Sequence, residues 1–328
     1  MKTAQGLKLV DRDEEGVDRA FRADVLSGLA ENQKAIPARW LYDATGSELF
    51  EAITRLEEYY PTRAETSILE HRGREFAEQI GPSRAVVEFG SGSSVKTPLL
   101  LRAIQPAAYV PLDISGDFLR AAATDLAEKF PGLPVYPVEA DFMREVELPR
   151  EVSGLPKLGF FPGSTIGNMV PRTAVDLLRT MRATLGEGAK LLIGMDLIKV
   201  VEILEAAYDD AKGITAEFNL NLLRRINREL SGTIPVEEFV HEARWNDEFA
   251  RIEMHLVASK ALDFEVSGKR FEMDAGETIH TENSHKFSRR SANTLLLAGG
   301  WTPVARWTDR DRKFSLILAD ATIPRSAP

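Results

Sequence analysis

Apolar residues recur at helical spacing over residues 17–30 and again over 46–55, the second run entered through the turn at Tyr42 and Asp43. Pro61 and Thr62 open a longer helical stretch, 63–80, which Gly81 and Pro82 end. From Arg84 the pattern changes. Ala85-Val86-Val87-Glu88-Phe89 is a short apolar run closed by glycine, as a strand buried on both faces should be. A helix over 97–104, a strand over 108–112, a helix over 118–129 and strands over 135–138 and 157–161 are predicted next. A helix over 173–185 and a strand over 189–194 complete the series. Apolar strands alternating with helices in this way predict a parallel βαβ sheet.

Residues 198–284 abandon that rhythm. Helices are predicted over 200–211 and 219–230, then the alternating segments 251–259 and 262–266 read as antiparallel strands. Two last apolar runs, 295–298 and 314–318, flank a polar turn at 308–312 and are expected to close the parallel sheet as a hairpin. The fold class is therefore α/β: a Rossmann-like domain over 62–196 and 286–328. A second, α+β domain over 15–61 and 197–285 is formed by the N-terminal helices and a middle insert.

Composition narrows the function classes. The 328 residues are 44% hydrophobic and 28% charged, with a net charge of -9 and a pI near 5.3, so a nucleic-acid substrate is not expected. Arg224, Arg225 and Arg228 have the spacing of a solvated helix face. The absence of cysteine excludes disulfides, thiolate zinc sites and cysteine nucleophiles. The polar, acidic N-terminus is not a signal peptide, and no run approaches the roughly 18 apolar residues of a membrane span. A cytoplasmic monomer that engages no membrane is expected.

The chemistry lies at the strand ends. Gly90-Ser91-Gly92-Ser93-Ser94 follows the first parallel strand, where α/β sheets bind ligands and where glycine lets backbone approach them. A dinucleotide fingerprint needs a third glycine where Val95 stands, which disfavours NAD. Asp113 ends the next strand, 23 residues after Gly90, and suits a pair of ribose hydroxyls; a helix cap ahead of Ser115 is its other reading. Asp141 and Phe142 follow the third strand and can take an adenine amino group and cover the base. Lys96 opens a helix, where a free cation opposes the dipole and points to a ligand carboxylate, or else is simply solvated. Gly163-Ser164-Thr165-Ile166-Gly167-Asn168, after the fourth strand, offers backbone N–H groups and an amide to a second ligand. These positions fit S-adenosyl-L-methionine as methyl donor, and a small-molecule methyltransferase.

In several long segments the chain resembles the bacterial L-histidine Nα-methyltransferases that form hercynine in ergothioneine biosynthesis. They are LYDATGSELFEAIT (41–54), EEYYPTRAE (57–65), EFGSGSSVKT (88–97), YVPLDIS (109–115), PGSTIGN (162–168), AYDDAKGITAEFNLNLLRRINREL (207–230), RIEMHLVAS (251–259) and IHTENSHKF (279–287). The resemblance implies a methyltransferase domain plus a substrate domain peculiar to the family. It assigns Gly90, Lys96, Asp113, Asp141 and Phe142 to S-adenosylmethionine. For L-histidine it assigns Asn168 and Tyr208 to the carboxylate, Tyr59 and nearby Tyr42 to the substrate's flank, and Glu282 and Ser284 to the imidazole, with Met254 lining the pocket; Asn283 between them is expected to bind substrate as well. Leu56-Glu57 departs from the Leu-Pro of many members. No general base is assigned. His280 and His285 flank Glu282, but their spacing makes a poor metal-ligand set, so no metal is expected. An N-methyltransferase for another amine, an NAD-dependent oxidoreductase and a non-catalytic donor-binding regulator are the competing functions.

Overall fold

The computed structural model describes residues 16–92, 96–114 and 116–322; Ser93, Ser94, Val95 and Ser115 of the expected donor site lie outside them. The chain divides into two compact units. Unit 1 takes the residues up to Tyr60 together with Lys199–His285, and unit 2 takes Pro61–Ile198 and the residues from Lys286 onward.

Unit 2 is built on a seven-stranded sheet. Its order is Trp301–Thr308, Phe314–Ala321, Lys190–Asp196, Lys157–Phe161, Ala85–Phe89, Ala108–Asp113 and Val138–Glu139. The last five are parallel, and Phe314–Ala321 and Trp301–Thr308 are added antiparallel. Every residue of Ala85–Phe89 is buried. Val86 joins one apolar cluster while Ala85, Val87 and Phe89 join another, the alternation that puts a core on each face of a strand. The chain leaves Ala85–Phe89 toward one neighbour and later returns to the other, so strand order reverses beside this strand. That reversal opens a crevice at the strands' carboxyl ends.

Three expectations are corrected in unit 2. The stretch 63–80 is two helices, Tyr60–His71 and Gly73–Ile80, because Arg72 leaves helical geometry at φ -112° and ψ 10°. A side chain at Gly73 would put Cβ only 3.1 Å from that of Ala103, so glycine permits the close packing there. The strand at 135–138 contracts to Val138–Glu139 plus a single bridge from Val135 to Tyr109. Pro134 and Pro137 have no N–H to extend that ladder. Residues 295–298 are the last turn of the helix Arg289–Ala298, which Ser288 and Ser291 cap. Ala292 and Leu296 are its buried positions, a spacing of four rather than two, and the hairpin partner of Phe314–Ala321 is instead Trp301–Thr308.

Unit 1 carries a four-stranded sheet ordered Lys34–Ala35, Thr278–His285, Arg251–Ala258, Phe239–Asn246, and a separate hairpin, Leu262–Val266 with Lys269–Met273. Arg19–Ala30, Ala44–Ile53, Val201–Tyr208 and Ile214–Glu229 share one apolar core with these strands. The register slips between His280 and Glu282, so Thr281 forms a bulge. Among the described residues no helix is long and apolar enough to cross a membrane.

Candidate active site

In unit 2 the strand Ala85–Phe89 delivers Gly90 at φ +71°, a conformation that favours glycine. The N–H groups of Gly90 and Ser91 both donate to the Leu112 carbonyl, at 2.9 and 3.1 Å, tying the turn to the neighbouring strand. Gly92 N–H donates to Asp113 Oδ2 at 3.0 Å. The Ala140 N–H donates to the Asp113 carbonyl at 3.0 Å, and Asp141 Oδ1 accepts from Met143 N–H at 3.0 Å. Phe142 stands edge-on to Phe89 and Phe161 at centroid distances of 6.3 and 6.1 Å. A Cβ on Gly90 would come within 3.3 Å of the Phe142 ring and so fill the space between turn and ring. Gly90, Asp113, Asp141 and Phe142 thus gather at adjoining strand ends, and this glycine-lined cradle fits a nucleoside donor.

Lys96 requires a correction. It precedes the helix Thr97–Ile104, but its ammonium is not free: it forms an ion pair with Glu65, whose side chain is fully buried. The Glu65 carboxylate also accepts from Gly163 N–H, at 2.9 and 3.1 Å to its two oxygens. A Cβ at Gly194 would lie 2.4 Å from Glu65 Oε1, so that strand residue must be glycine to admit the carboxylate. Glu65 therefore links the Lys96 ammonium to the 162–168 loop and answers the dipole objection to a cation at a helix start. Local spacing gave no sign of it, since Glu65 lies on a helix remote in sequence from both partners.

Glu88 is a second buried carboxylate in this unit. Burial pushes its carboxyl up to about 7, although the hydroxyls of Tyr109 and Thr97 and the charge of Lys96 act the other way. In the 162–168 loop Gly163 and Ser164 take positive φ, and Ser164 Oγ accepts from Asp196 N–H at 2.9 Å. The short turn Thr165–Asn168 then ends on Asn168, half-buried in unit 2.

Unit 1 gathers most of the remaining assigned residues. Tyr42 follows the turn Ala38–Leu41 and precedes the Asp43 cap of helix Ala44–Ile53. Burial alone would raise the Asp43 carboxyl, but Gly46 N–H, Arg228 and Asn221 together hold it below its ordinary range. A Cβ at Gly46 would collide with the Leu41 carbonyl oxygen at 1.8 Å, which explains the glycine in this motif. The Tyr42 ring packs edge-on against Phe50 and Phe218, Phe50 against Tyr59, and Tyr59 against Tyr208, at 5.4 to 6.1 Å. Although 38% of Tyr42 is exposed, its phenol is held well above the usual range, by burial first and then by Glu282, Tyr59 and Tyr208.

Met254 and Glu282 stand opposite one another in the Arg251–Ala258 and Thr278–His285 ladder and are both buried. Ser284, two residues on, shares their face, and its Oγ lies 2.6 Å from the Tyr208 hydroxyl. Asn283 does not join them. It faces the other side of the sheet, opposite Glu253 and beside His280, because successive strand residues alternate. The structure thus does not bring the Asn283 side chain together with Met254, Glu282 and Ser284. His241, missed in the sequence, buttresses the wall: Nε2–H donates to the Tyr208 carbonyl at 2.8 Å, and Asn219 Nδ2 donates to Nδ1 at 2.9 Å.

A reversed strand order with a glycine turn, a strand-end carboxylate and an aromatic ring at the next strand end describes an α/β transferase for a nucleoside donor. The chain belongs to the family of histidine-specific, SAM-dependent methyltransferases, whose model matches residues 21–321. It is 41% identical over 306 residues to the histidine N-alpha-methyltransferase of Mycolicibacterium smegmatis, covering 92% of this chain and 94% of that one. It is 42% identical over 312 residues to that of Mycobacterium tuberculosis, with the same coverage. The ergothioneine biosynthesis protein 1 of Neurospora crassa is 31% identical over 287 residues, covering 84% of this chain and 32% of its own length.

Proposed function

We propose that this chain trimethylates the α-amino group of L-histidine, with S-adenosylmethionine as donor, giving hercynine for ergothioneine synthesis. The observation that carries the reading is Glu282, a carboxylate buried in an otherwise apolar and aromatic wall beside Met254 and Ser284. An imidazole N–H can donate to that carboxylate and Ser284 can serve the other ring nitrogen, whereas an apolar substrate ring brings the carboxylate no donor. The two relatives above 40% identity carry histidine Nα-methylation in their names.

When bound, S-adenosylmethionine supplies a methyl group on a positively charged sulfonium. Gly90, Asp113, Asp141 and Phe142 hold the nucleoside, and the Lys96–Glu65 pair lies at the helix start beyond the glycine turn. Glu282 and Ser284 fix the imidazole, while Tyr208 serves the amino-acid carboxylate. Tyr42 stays protonated at neutral pH, because burial and Glu282 both oppose its ionisation. The rings of Tyr42 and Tyr59 offer aromatic faces to an amine that becomes a permanent cation. No side chain is assigned as general base, and a cytoplasmic monomer belongs to the same reading. The test is S-adenosylmethionine with each of the twenty amino acids, read by mass spectrometry with fragmentation. Three methyl groups on L-histidine, all at Nα, are expected; ring methylation or preference for another amino acid overturns the reading.

A further inference from the structure

We propose that Glu253, His255 and His280 form a binding site for one divalent transition cation, with zinc as the representative ion. The bulge at Thr281 creates the arrangement. His280 stands opposite His255, but after the slip Glu282 stands opposite Met254 and Asn283 opposite Glu253. Because neighbours along a strand alternate, Glu253, His255, His280 and Asn283 share one face of the sheet, and Met254, Glu282 and Ser284 occupy the other.

Each of the three offers a ligand atom within 4.8 Å of the other two. His255 Nε2 and Glu253 Oε2 are 3.2 Å apart. A tetrahedral site with zinc bonds of about 2.0–2.1 Å has an edge of about 3.3–3.4 Å, so one edge is already in place. The two imidazoles stack with centroids 4.8 Å apart. The outer contacts suit ligands. The Glu282 carbonyl accepts from His280 Nε2–H at 3.1 Å, which leaves the lone pair on Nδ1. Glu253 Oε1 is taken by Arg251 Nε at 2.7 Å and Asn246 Nδ2 at 2.9 Å, which leaves Oε2 toward His255. Asn283 lies close enough to influence His280, yet its buried Oδ1 completes no hydrogen bond of ordinary geometry and is available as a fourth donor. The surrounding charge is balanced rather than repulsive: Arg244 is held by Glu242 through two 2.7 Å bonds, and Arg251 by Glu253. An imidazole-and-carboxylate set selects ions of the zinc class over calcium and magnesium.

Calorimetry on chelator-stripped protein tests the site. Wild type is expected to take up one zinc per chain and to melt at a higher temperature with zinc. His255→Gln and His280→Gln should each weaken uptake at least tenfold, and His71→Gln, at an exposed helix end, should leave it unchanged. The absence of cysteine and the presence of only five histidines keep competing sites few. No saturable uptake, undiminished uptake in His255→Gln and His280→Gln, or a preference for calcium overturns the assignment. Cobalt(II) bound to wild type keeps the test open if a variant fails to fold. Paramagnetically shifted signals from two imidazoles are expected, and a cobalt complex without them overturns the site.

Discussion

In unit 2 the residues proposed to hold the donor come from successive strand ends, each turn reached one βα step after the last. In unit 1 the wall joins Tyr42, Tyr59, Tyr208, Met254 and Glu282 from segments scattered over more than two hundred residues. The donor end is held by backbone: the Leu112 carbonyl fixes the Gly90 turn, and the Asp113 carbonyl receives Ala140. The wall is held by side chains: ring against ring, Tyr208 against Ser284, Asp43 against Arg228. Backbone scaffolding tolerates substitution of the groups it presents, whereas a wall of mutually supporting side chains couples each change to its neighbours.

Glu65 is the exception in unit 2 and provides the largest expected effect. Glu65→Ala leaves Lys96 beside a fully vacated buried position and removes the acceptor of Gly163 N–H. Breaking a buried pair from one side costs roughly 3–5 kcal/mol, so chemical denaturation should show a loss of that size. A loss below about 1 kcal/mol, with donor affinity intact, would mean that backbone alone holds the two loops.

Glu88 sharpens the comparison through pH. Its folded carboxyl, pushed up to about 7 by burial, lies above the ordinary 4.5. Its contribution to stability is therefore fully present below about pH 4.5 and is lost as pH rises through 7. The expected change is roughly 3 kcal/mol. Glu88→Gln removes this titration, so the stability difference between variant and wild type should shift in the variant's favour by about that amount across the window. Denaturant midpoints at pH 5 and pH 8 measure it, and parallel curves for the two proteins would place the Glu88 carboxyl near its ordinary value.

On the wall, Met254→Val with Glu282→Ala should lower kcat/KM for histidine and raise it for tryptophan or phenylalanine. Loss of the charge-assisted bond is worth roughly 1.5–3 kcal/mol, about 10- to 150-fold. The ratio of the two kcat/KM values is the quantity to follow. An unmoved ratio means that the imidazole is read elsewhere.

The contrast also explains what the sequence could tell. Gly90, Asp113 and Asp141 were legible because strand-end position follows from local periodicity, and Lys157–Phe161 and Leu262–Val266 were read to the residue. The helix at 295–298 was misread as a strand because three consecutive leucines hide a helical face whose buried members are Ala292 and Leu296. The wall residues were reached through family resemblance, since no local pattern brings Tyr42 to Glu282. The bulge at Thr281 defeats counting altogether. Strict alternation puts His280 and Glu282 on one face, and one extra residue puts them on opposite faces. The same slip withdraws the Asn283 side chain from the wall and assembles Glu253, His255 and His280 behind it.

The smallest effect tests how tightly the wall is coupled. The Tyr208 hydroxyl and Ser284 Oγ lie 2.6 Å apart and buried, with Tyr208 itself fixed by the edge of Tyr59 and by His241 at its carbonyl. Tyr208→Phe keeps the ring, so packing against Tyr59 survives and only the hydroxyl is lost. A neutral hydrogen bond contributes about 1 kcal/mol, which is roughly fivefold in histidine KM, with kcat changed less. Ser284→Ala removes the other end of the same bond and should cost a similar amount. If the two hydroxyls act on the imidazole and carboxylate through each other, the double variant costs little more than either single one, a coupling of about 1 kcal/mol in the cycle. Additive losses would instead show that each hydroxyl meets the substrate alone, and the wall would then be a set of independent contacts like the donor end of unit 2.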